Sequence, residues 1–369
     1  MSIDSKTRQP FQQLIGLLQE IDQRWASEEW NLGSSADIAG AHRTAMHALE
    51  AGLVGVFEQD VRSPDFRRIV TPSRKLTGDN SDAIYFDAPV SGDYQYQVEG
   101  TVEGAVYFSL TIEEDSADGN MPTRTGGVIN DESIDVDERG RFKVYLGGEQ
   151  RDRNWLPLGK AASRITSRHY FENAEPAAKD PFCEPRMRIE CLNANDIPAP
   201  PSEQSISEGI ERVINFVRSR TLGQEPMMNR EQPGFVSLQP NVFPQPQLPG
   251  DFGLSAFDAH YSMAPYFIAE DEALVISARW PECRFANVCL WNRFQQTYDY
   301  VNRHASLNRV QTQADQEQRF EVVLSHSKPN HPNWLDTEGA AFGMVFWRYF
   351  LVEGEVETPI ARVVKLSDL

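Results

Sequence analysis

The sequence predicts a mainly β protein with additional helices, of the α+β class, built from two duplicated antiparallel β modules of sandwich or jelly-roll type. Three observations lead to this prediction: apolar residues at helical spacing near the N-terminus, alternation of period two from about residue 83, and a series of short motifs that occurs twice. We therefore expect an N-terminal helical region at 1–75, a first β module at 76–200, a connecting helix and Pro-rich arm at 201–255, and a second β module at 256–369.

Two helices are predicted before residue 60. The first follows from apolar side chains that recur every three or four positions, namely Phe11, Leu14, Ile15, Leu18, Ile21 and Trp25. The second is predicted after Ser34, because Asp37 stands three residues on and can complete a capping box. His42 lies on the apolar stripe of this helix, where a hydrogen-bonded core residue is the usual finding.

Strands are predicted where apolar and polar residues alternate. In YQYQVEG at 94–100 the pattern is typical of a half-buried antiparallel strand, and it continues in VYFSLTI and RFKVYL. A third helix is predicted from Ser205 with Glu208 as the capping acid and Gly223 after its end. Further strands are predicted at ALVISARW, ANVCLWN, RFEVVLS and FGMVFWRYFLV.

The segment 224–250 is rich in Pro, which favours an extended arm over regular structure. Such an arm is expected to lie across another part of the chain or across a neighbouring subunit.

A repeated series of motifs indicates duplication. RFKVYL and RFEVVL are each followed by Asn-Trp-Leu and then by Tyr-Phe, in the same order. A duplicated site and a duplicated piece of scaffold both explain the repeat, and scaffold is favoured because a catalytic residue rarely needs two copies. In the ungapped frame of the repeat, His169 corresponds to Arg348.

Composition excludes several classes of partner and cofactor. Lys plus Arg (35) against Asp plus Glu (54) gives a formal charge of −19, so neither nucleic acid nor an anionic membrane surface is an expected partner. Four Cys stand without a C-x-x-C pair, and nucleotide-binding and metalloprotease motifs are missing, so we expect neither a metal nor a cofactor. Without a signal-peptide pattern or a long apolar run, a cytoplasmic protein is predicted.

Arg348 is the first candidate ligand-binding residue. On a strand it shares a face with Phe346 and Phe350, and a guanidinium in an apolar row needs an anion. That anion belongs either to a ligand or to an internal acid such as Glu353 or Asp336.

Further candidates lie on the aromatic-rich strands and on two polar segments. His169 is either a general base or a core residue. The segment 256–267 offers His260 with Asp258, and the segment 79–85 offers Asp82 beside Tyr85, with turn formation as the alternative for the latter. The candidate ligand-binding residues beside Arg348 are Tyr261, Trp291, Trp347 and Tyr349.

Several of these segments also carry a family resemblance. From about Ala45 to Val364 the chain resembles the bacterial family of domain of unknown function 1214, often associated with domain of unknown function 1254. The resemblance rests on GDNSDAIYFDAP, GDYQYQVEGTVEGAVYFSLTI, LWNRFQQTYDY and both Asn-Trp-Leu to Tyr-Phe segments, with Ser81 where the family has Pro. It implies β-sandwich modules with attached helices and homo-oligomers, and it supplies no catalytic residues.

The predicted function is a cofactor-independent enzyme that uses acid/base chemistry on a small, partly apolar organic molecule. A lipid, a terpenoid or an aromatic compound with an oxygen or anionic group would suit an aromatic pocket, and the reaction class, whether lyase, isomerase or hydrolase, stays open. The alternative is a non-catalytic glycan- or protein-binding module, or a structural oligomer.

Overall fold

A computed structural model describes residues 4–194 and 198–369, and within them the protein is mainly β, with four sheets and a few helices. The helices are α1 (Arg8–Glu20), α2 (Ser35–Gly52) and α3 (Glu203–Ser219). The strands of the first half are β1 (Arg67–Arg68), β2 (Ala83–Pro89), β3 (Tyr96–Thr101), β4 (Tyr107–Glu114), β5 (Arg124–Asn130), β6 (Arg141–Leu146), β7 (Trp155–Leu156), β8 (Ala162–Tyr170) and β9 (Met187–Cys191). Those of the second half are β10 (Ala259–Phe267), β11 (Glu272–Arg279), β12 (Phe285–Trp291), β13 (Ser306–Asn308), β14 (Arg319–Ser325), β15 (Trp334–Asp336), β16 (Phe342–Phe350) and β17 (Ile360–Lys365).

The three helices form one layer with its own apolar core. The predicted cap of α2 is confirmed, because the Ser34 hydroxyl accepts from the backbone N–H of Asp37 while the Asp37 carboxylate accepts from that of Ser34. The predicted start of α3 is wrong by three residues: Ser202 is the cap, and Ser205 is its partner.

The buried histidine of α2 is also different from the one predicted. His42 is half exposed and binds Asp22 at 3.0 Å, whereas His47 is buried and accepts from the backbone N–H of Lys75 at 3.3 Å. The helix face that packs is lined by small residues such as Ala41 and Ala48, which apolar spacing alone did not distinguish.

The first half of the chain forms two sheets that share a core. Their strand orders are β1-β2-β8-β4-β5 and β7-β6-β3-β9. Ile84, Ile112 and Ile165 from one sheet pack with Val98 and Val144 from the other, and all five are fully buried. Face-to-face packing of this kind places one apolar layer between two sheets.

The second half forms a second pair of sheets, with strand orders β10-β16-β12-β13 and β15-β14-β11-β17. These orders match those of the first half strand for strand, except that β1 has no counterpart. The shared core contains Leu274 and Val322 from one sheet and Val288, Val345 and Trp347 from the other.

The two halves contact each other through one sheet of each. Tyr107, Tyr170 and Ala83 from the first half pack against Phe285 and Phe350 from the second. As a consequence β4, β8 and β12 are buried along their whole length, so the half-buried alternation expected for β4 is wrong. A strand covered on both faces has no solvent side to carry polar residues.

The Pro-rich arm packs in cis. Its backbone pairs with β10, where the N–H of Ser237 donates to the carbonyl of Met263 at 2.8 Å and Gln247 exchanges two bonds with Tyr261. Phe235 and Phe243 of the arm are both 6% exposed. The arm therefore covers an edge that would otherwise offer free backbone groups.

The Asn-Trp-Leu repeats have the contacts of scaffold. The amide groups of Asn154 and Asn333 each bond three backbone groups of neighbouring loops and strands, at 2.7 to 3.0 Å. Leu156 and Leu335 are buried in the two cores. The repeat thus fixes the entry to β7 and β15.

Over the described residues, no helix has the length and apolar character needed to cross a membrane.

Candidate functional site

A cavity of about 220 Å³ lies where the helical layer and the 116–122 loop cover β2 and β8 of the first half. Arg168 and Tyr85 line it from the first half, and Arg348 and Tyr261 line it from the second. A larger groove of about 930 Å³ runs beside β9, but its charged side chains, such as Arg141, are exposed. The smaller cavity is the candidate site because its ionisable groups are buried.

Each half contributes a Tyr–Arg pair at the same register. Tyr85 stands opposite Arg168 across β2 and β8, and Tyr261 stands opposite Arg348 across β10 and β16. The ungapped comparison that matched His169 with Arg348 is therefore wrong by one residue. A shift of one position moves a strand residue to the other face of its sheet, so the error placed His169 on the wrong side.

The guanidinium of Arg348 is buried without a carboxylate. The residue is 3% exposed; its Nη2 donates to the carbonyls of Gly78 at 2.7 Å and Asp79 at 3.3 Å, and its Nη1 has no partner. Its carbon Cζ lies 5.1 Å from the ring of Trp291 and 4.4 Å from that of Phe346.

Neither internal acid expected for Arg348 pairs with it. Asp336 binds Arg303 at 2.8 Å, and within residues 4–194 and 198–369 no carboxylate, including that of Glu353, lies within 4.0 Å of the Arg348 guanidinium. A buried positive charge of this kind is unfavourable unless an anion approaches it.

Two other arginines of the cavity are paired with a carboxylate, whereas Arg220 donates to the carbonyl of Phe216 and to the hydroxyl of Ser219, both at 3.2 Å. Arg168 donates to the hydroxyl of Thr111 at 2.6 Å and lies 3.7 Å from a carboxylate oxygen of Glu113. Arg164 donates to Asp87 at 2.7 Å. Arg348 is the strongest candidate for an external anion because, among the arginines that line the cavity, it is the one with a buried nitrogen that has no hydrogen-bond partner.

Three tyrosines supply hydroxyl groups to the cavity. The hydroxyls of Tyr85 and Tyr170 lie 2.9 Å apart. Burial raises the pKa of Tyr85, Tyr170 and Tyr261 above the ordinary value, and the charge of Arg348 opposes this only in part. The three hydroxyls are therefore protonated at neutral pH and can donate hydrogen bonds.

Asp82 lies at the interface between the two halves and bonds across it. It belongs to a D-A-x-Y segment, and its carboxylate accepts from the amide of Asn287 at 2.9 Å and of Asn308 at 3.3 Å in the other half. Burial raises the pKa of Asp82 to about 7, although both hydrogen bonds oppose the change.

Asp258 occupies the same position of a second D-A-x-Y segment and makes the reciprocal contacts. It accepts from Asn130 at 2.6 Å and from the hydroxyl of Tyr107 at 2.7 Å, both in the first half. Asp82 and Asp258 are thus interface residues, and neither lines the cavity. The two aspartates fix the tyrosine that follows each of them by three positions.

The two candidate histidines also lie outside the cavity. His169 is fully buried in the core of the first half, 4.6 Å from the ring of Phe108, and Nε2 lies 3.3 Å from the carbonyl of Thr101. Burial lowers its pKa to about 3, so it is neutral. His260 is half-buried at the start of β10, and burial lowers its pKa as well.

The candidate aromatic residues Trp291, Trp347 and Tyr349 are not among the residues that line the cavity. Trp347 and Tyr349 point into the core of the second half, where their rings stack with centroids 6.3 Å apart. The ring of Trp291 packs against the guanidinium of Arg348, and its indole N–H donates to the carbonyl of Asp79 at 3.1 Å.

Sequence reasoning missed Arg168 and Tyr170, which line the cavity. The repeated D-A-x-Y segment was the available signal, because it identifies Tyr85 and Tyr261 as counterparts and thereby fixes the register of the strands between which they lie. In the part of the chain that the structure describes, no group of three His, Cys, Asp or Glu is placed to hold a metal ion.

Comparison with a solved structure shows the fold. The crystal structure of an uncharacterized protein from Burkholderia cenocepacia is similar with a TM-score of 0.83 and 23% identity, covering 98% of each chain. The VPA0106 protein of Vibrio parahaemolyticus is similar with a TM-score of 0.49 and 13% identity, covering 87% of this chain and 100% of that one. No family model matches the chain, and no curated protein matches it either.

Proposed function

We propose that this protein binds a small, partly apolar organic anion in the cavity between the helical layer and the two sheets. The observation that carries the proposal is the buried guanidinium of Arg348, which lines the cavity with Nη1 unpartnered and no carboxylate within 4.0 Å among the described residues. An anion at this position would supply the missing charge and hydrogen bond.

The remaining wall suits an apolar body. Ala48, Val56 and Leu76 face the cavity from the helical layer and the following segment, together with Phe216. Apolar walls with a few polar groups are typical of sites that take small organic ligands.

Ligand-observed NMR and calorimetry test the proposal with benzoate, hexanoate, benzenesulfonate and phenylphosphonate. We expect at least one anion to bind, and Arg348→Gln to weaken it by about 30-fold or more, because losing one partner of a buried charge pair costs about 2 kcal/mol or more. Arg362→Gln removes an exposed arginine that pairs with Glu321 and is the control for net charge. Equal binding by wild type and Arg348→Gln would refute the assignment.

A cofactor-independent acid/base enzyme is the second candidate function. The observation that favours it is the Tyr85–Tyr170 hydroxyl pair, which lines the cavity and is held protonated by burial. In this proposal solvent removes and returns the C–H proton, Tyr85 donates a hydrogen bond to the negative charge that develops on the bound molecule, and Arg348 holds its anionic group.

Deuterium exchange distinguishes the two functions. A bound acid with a C–H next to its carboxylate, such as phenylacetate, is incubated with the protein in D₂O and followed by NMR. Exchange that Tyr85→Phe abolishes while binding persists supports the enzyme. Binding without exchange above the protein-free rate leaves the non-catalytic binding module.

We propose in addition that the two halves arose by duplication of one jelly-roll-like module, which the matching strand orders support. Membership of the domain of unknown function 1214 family, a cytoplasmic location and a homo-oligomeric state remain proposals of the same kind. Light scattering of the purified chain tests the last of them, and a monomer at all concentrations would exclude it.

A further inference from the structure

The first half shows how this fold satisfies a buried arginine internally. Arg168 lies beside Glu113, which is fully buried. The Glu113 carboxylate is itself held by the hydroxyl of Thr166 at 3.0 Å and by the backbone N–H of Leu254 at 2.9 Å. One internal carboxylate, fixed by two donors, therefore accompanies the guanidinium.

The position of that carboxylate has a counterpart in the second half. Arg168 pairs across β8 and β4 with Ser109, and Glu113 stands four residues further along β4. Arg348 pairs across β16 and β12 with Asn287, and the residue four further along β12 is Trp291.

Trp291 thus stands where the first half has its acid. Its ring lies under the Arg348 guanidinium at 5.1 Å, and it offers a π face but no negative charge. At this position the second half therefore has an indole in place of the carboxylate, and Arg348 itself lines the cavity.

We propose that the ligand's anionic group is a carboxylate, on a compact acid of about the size of benzoate. This inference rests on the proposed function and adds the chemical class of the ligand. The cavity of about 220 Å³ exceeds the roughly 150 Å³ that suffices for benzene, so one ring with one carboxylate fits it.

A carboxylate fits better than a phosphate or phosphonate because Arg348 has few free hydrogen-bond donors. Nη2 of Arg348 is already bonded to two carbonyls, so Nη1 is the unpartnered terminal nitrogen on this side chain. A phosphonate dianion has three oxygens to satisfy and prefers several cationic donors, whereas a carboxylate has two.

A matched ligand series tests the inference by calorimetry on the full chain. Benzoate, benzenesulfonate, phenylphosphonate and benzamide share one ring and differ in the attached group. We expect benzoate to bind at least tenfold more tightly than each of the other three. If the phosphonate or the sulfonate binds as tightly as benzoate, the ligand class is wrong while the proposed function stands; if no anion of this series or hexanoate binds, the proposed function fails as well.

Trp291→Glu tests the structural reasoning directly, with Trp291→Gln as the control of matched volume. The new carboxylate occupies the register position of Glu113, so we expect benzoate binding to weaken at least tenfold relative to the Gln variant. Equal affinity in two folded variants would overturn the correspondence between the two positions. Circular dichroism reports whether each variant folds. If Trp291→Glu does not fold, the ligand series on the unmodified protein tests whether the ligand is a carboxylate.

Discussion

Replacing Asp82 by Asn should change how stability depends on pH, by an amount that the structure sets. Asp82 is fully buried, and its pKa is raised to about 7 from the value of 3.8 that an exposed aspartate has. Between these values the folded protein holds a proton that the unfolded chain has lost, so stability falls as pH rises. The difference corresponds to about 4 kcal/mol, because one pKa unit is worth about 1.4 kcal/mol.

His169 acts in the opposite direction. Burial lowers its pKa to about 3 from 6.5, so between these values the unfolded chain holds the additional proton and stability rises with pH. From about pH 4 to 6.5 the two contributions cancel in the wild type. Asn at position 82 resembles the protonated acid and does not change the contribution of His169. The free energy of unfolding of Asp82→Asn, relative to that of the wild type, should therefore rise by about 4 kcal/mol as the pH is raised from 4 to 8.

Urea unfolding followed by circular dichroism measures this difference at constant ionic strength from pH 4 to 8. Ionisable groups common to both proteins cancel when the two free energies of unfolding are subtracted. Asp258→Asn is the matched control, since it changes the same position of the second D-A-x-Y segment at a partly exposed site. A difference between Asp82→Asn and wild type that stays constant within about 1 kcal/mol over this range would show that Asp82 is not held protonated.

Three further substitutions test other contacts by the same unfolding measurement. Glu113→Ala leaves a buried guanidinium unpaired and should cost about 3 to 5 kcal/mol, and a loss below about 1 kcal/mol would mean that the ion pair is not closed in solution. Asn130→Ala removes an amide donor from the interface between the halves and should cost about 1 to 3 kcal/mol; an unchanged stability would contradict the reciprocal contacts of the two aspartates. Gly253→Ala places a Cβ 1.9 Å from a backbone carbonyl of the cavity wall and should destabilise the protein by about 1 to 3 kcal/mol. Gly55→Ala is the control, because a Cβ there has no atom within 4 Å. Equal effects of the two substitutions would refute the close approach.

The strands were the most predictable part of the fold because their signal is local. RFKVYL at 141–146 alternates in the sequence and alternates in burial in the structure. The cap of α3 was harder to predict, because Ser202 and Ser205 are both good cap residues and only the completed helix distinguishes them.

The candidate site was predicted only in part, and one residue explains most of the error. The segment between Asn-Trp-Leu and the last strand is one residue shorter in the first half, since Arg168 follows Asn154 by fourteen positions and Arg348 follows Asn333 by fifteen. An ungapped alignment of the two segments cannot account for this difference in length. It therefore assigned a core histidine to the site and overlooked Arg168.

Arg348, Tyr85 and Tyr261 were identified, but the cavity that joins them was not predictable. Its walls come from α2, α3, both halves and the 116–122 loop, which are far apart in the sequence. Local patterns carry no information on such distant contacts, whereas the repeated D-A-x-Y segment carries some, because it fixes which strands correspond.

The structural contacts of Arg348 leave one of its nitrogens without a partner. Two hydrogen bonds to carbonyls and two ring contacts offset the several kcal/mol that moving a guanidinium into a protein interior costs, but they do not involve Nη1. A methionine of similar length would fill the same space without either contribution and would leave no nitrogen unpartnered. Arg168, at the corresponding position, shows that this scaffold can accommodate such a charge when a carboxylate accompanies it. The carboxylate that Arg348 lacks is the group that the proposed ligand would supply.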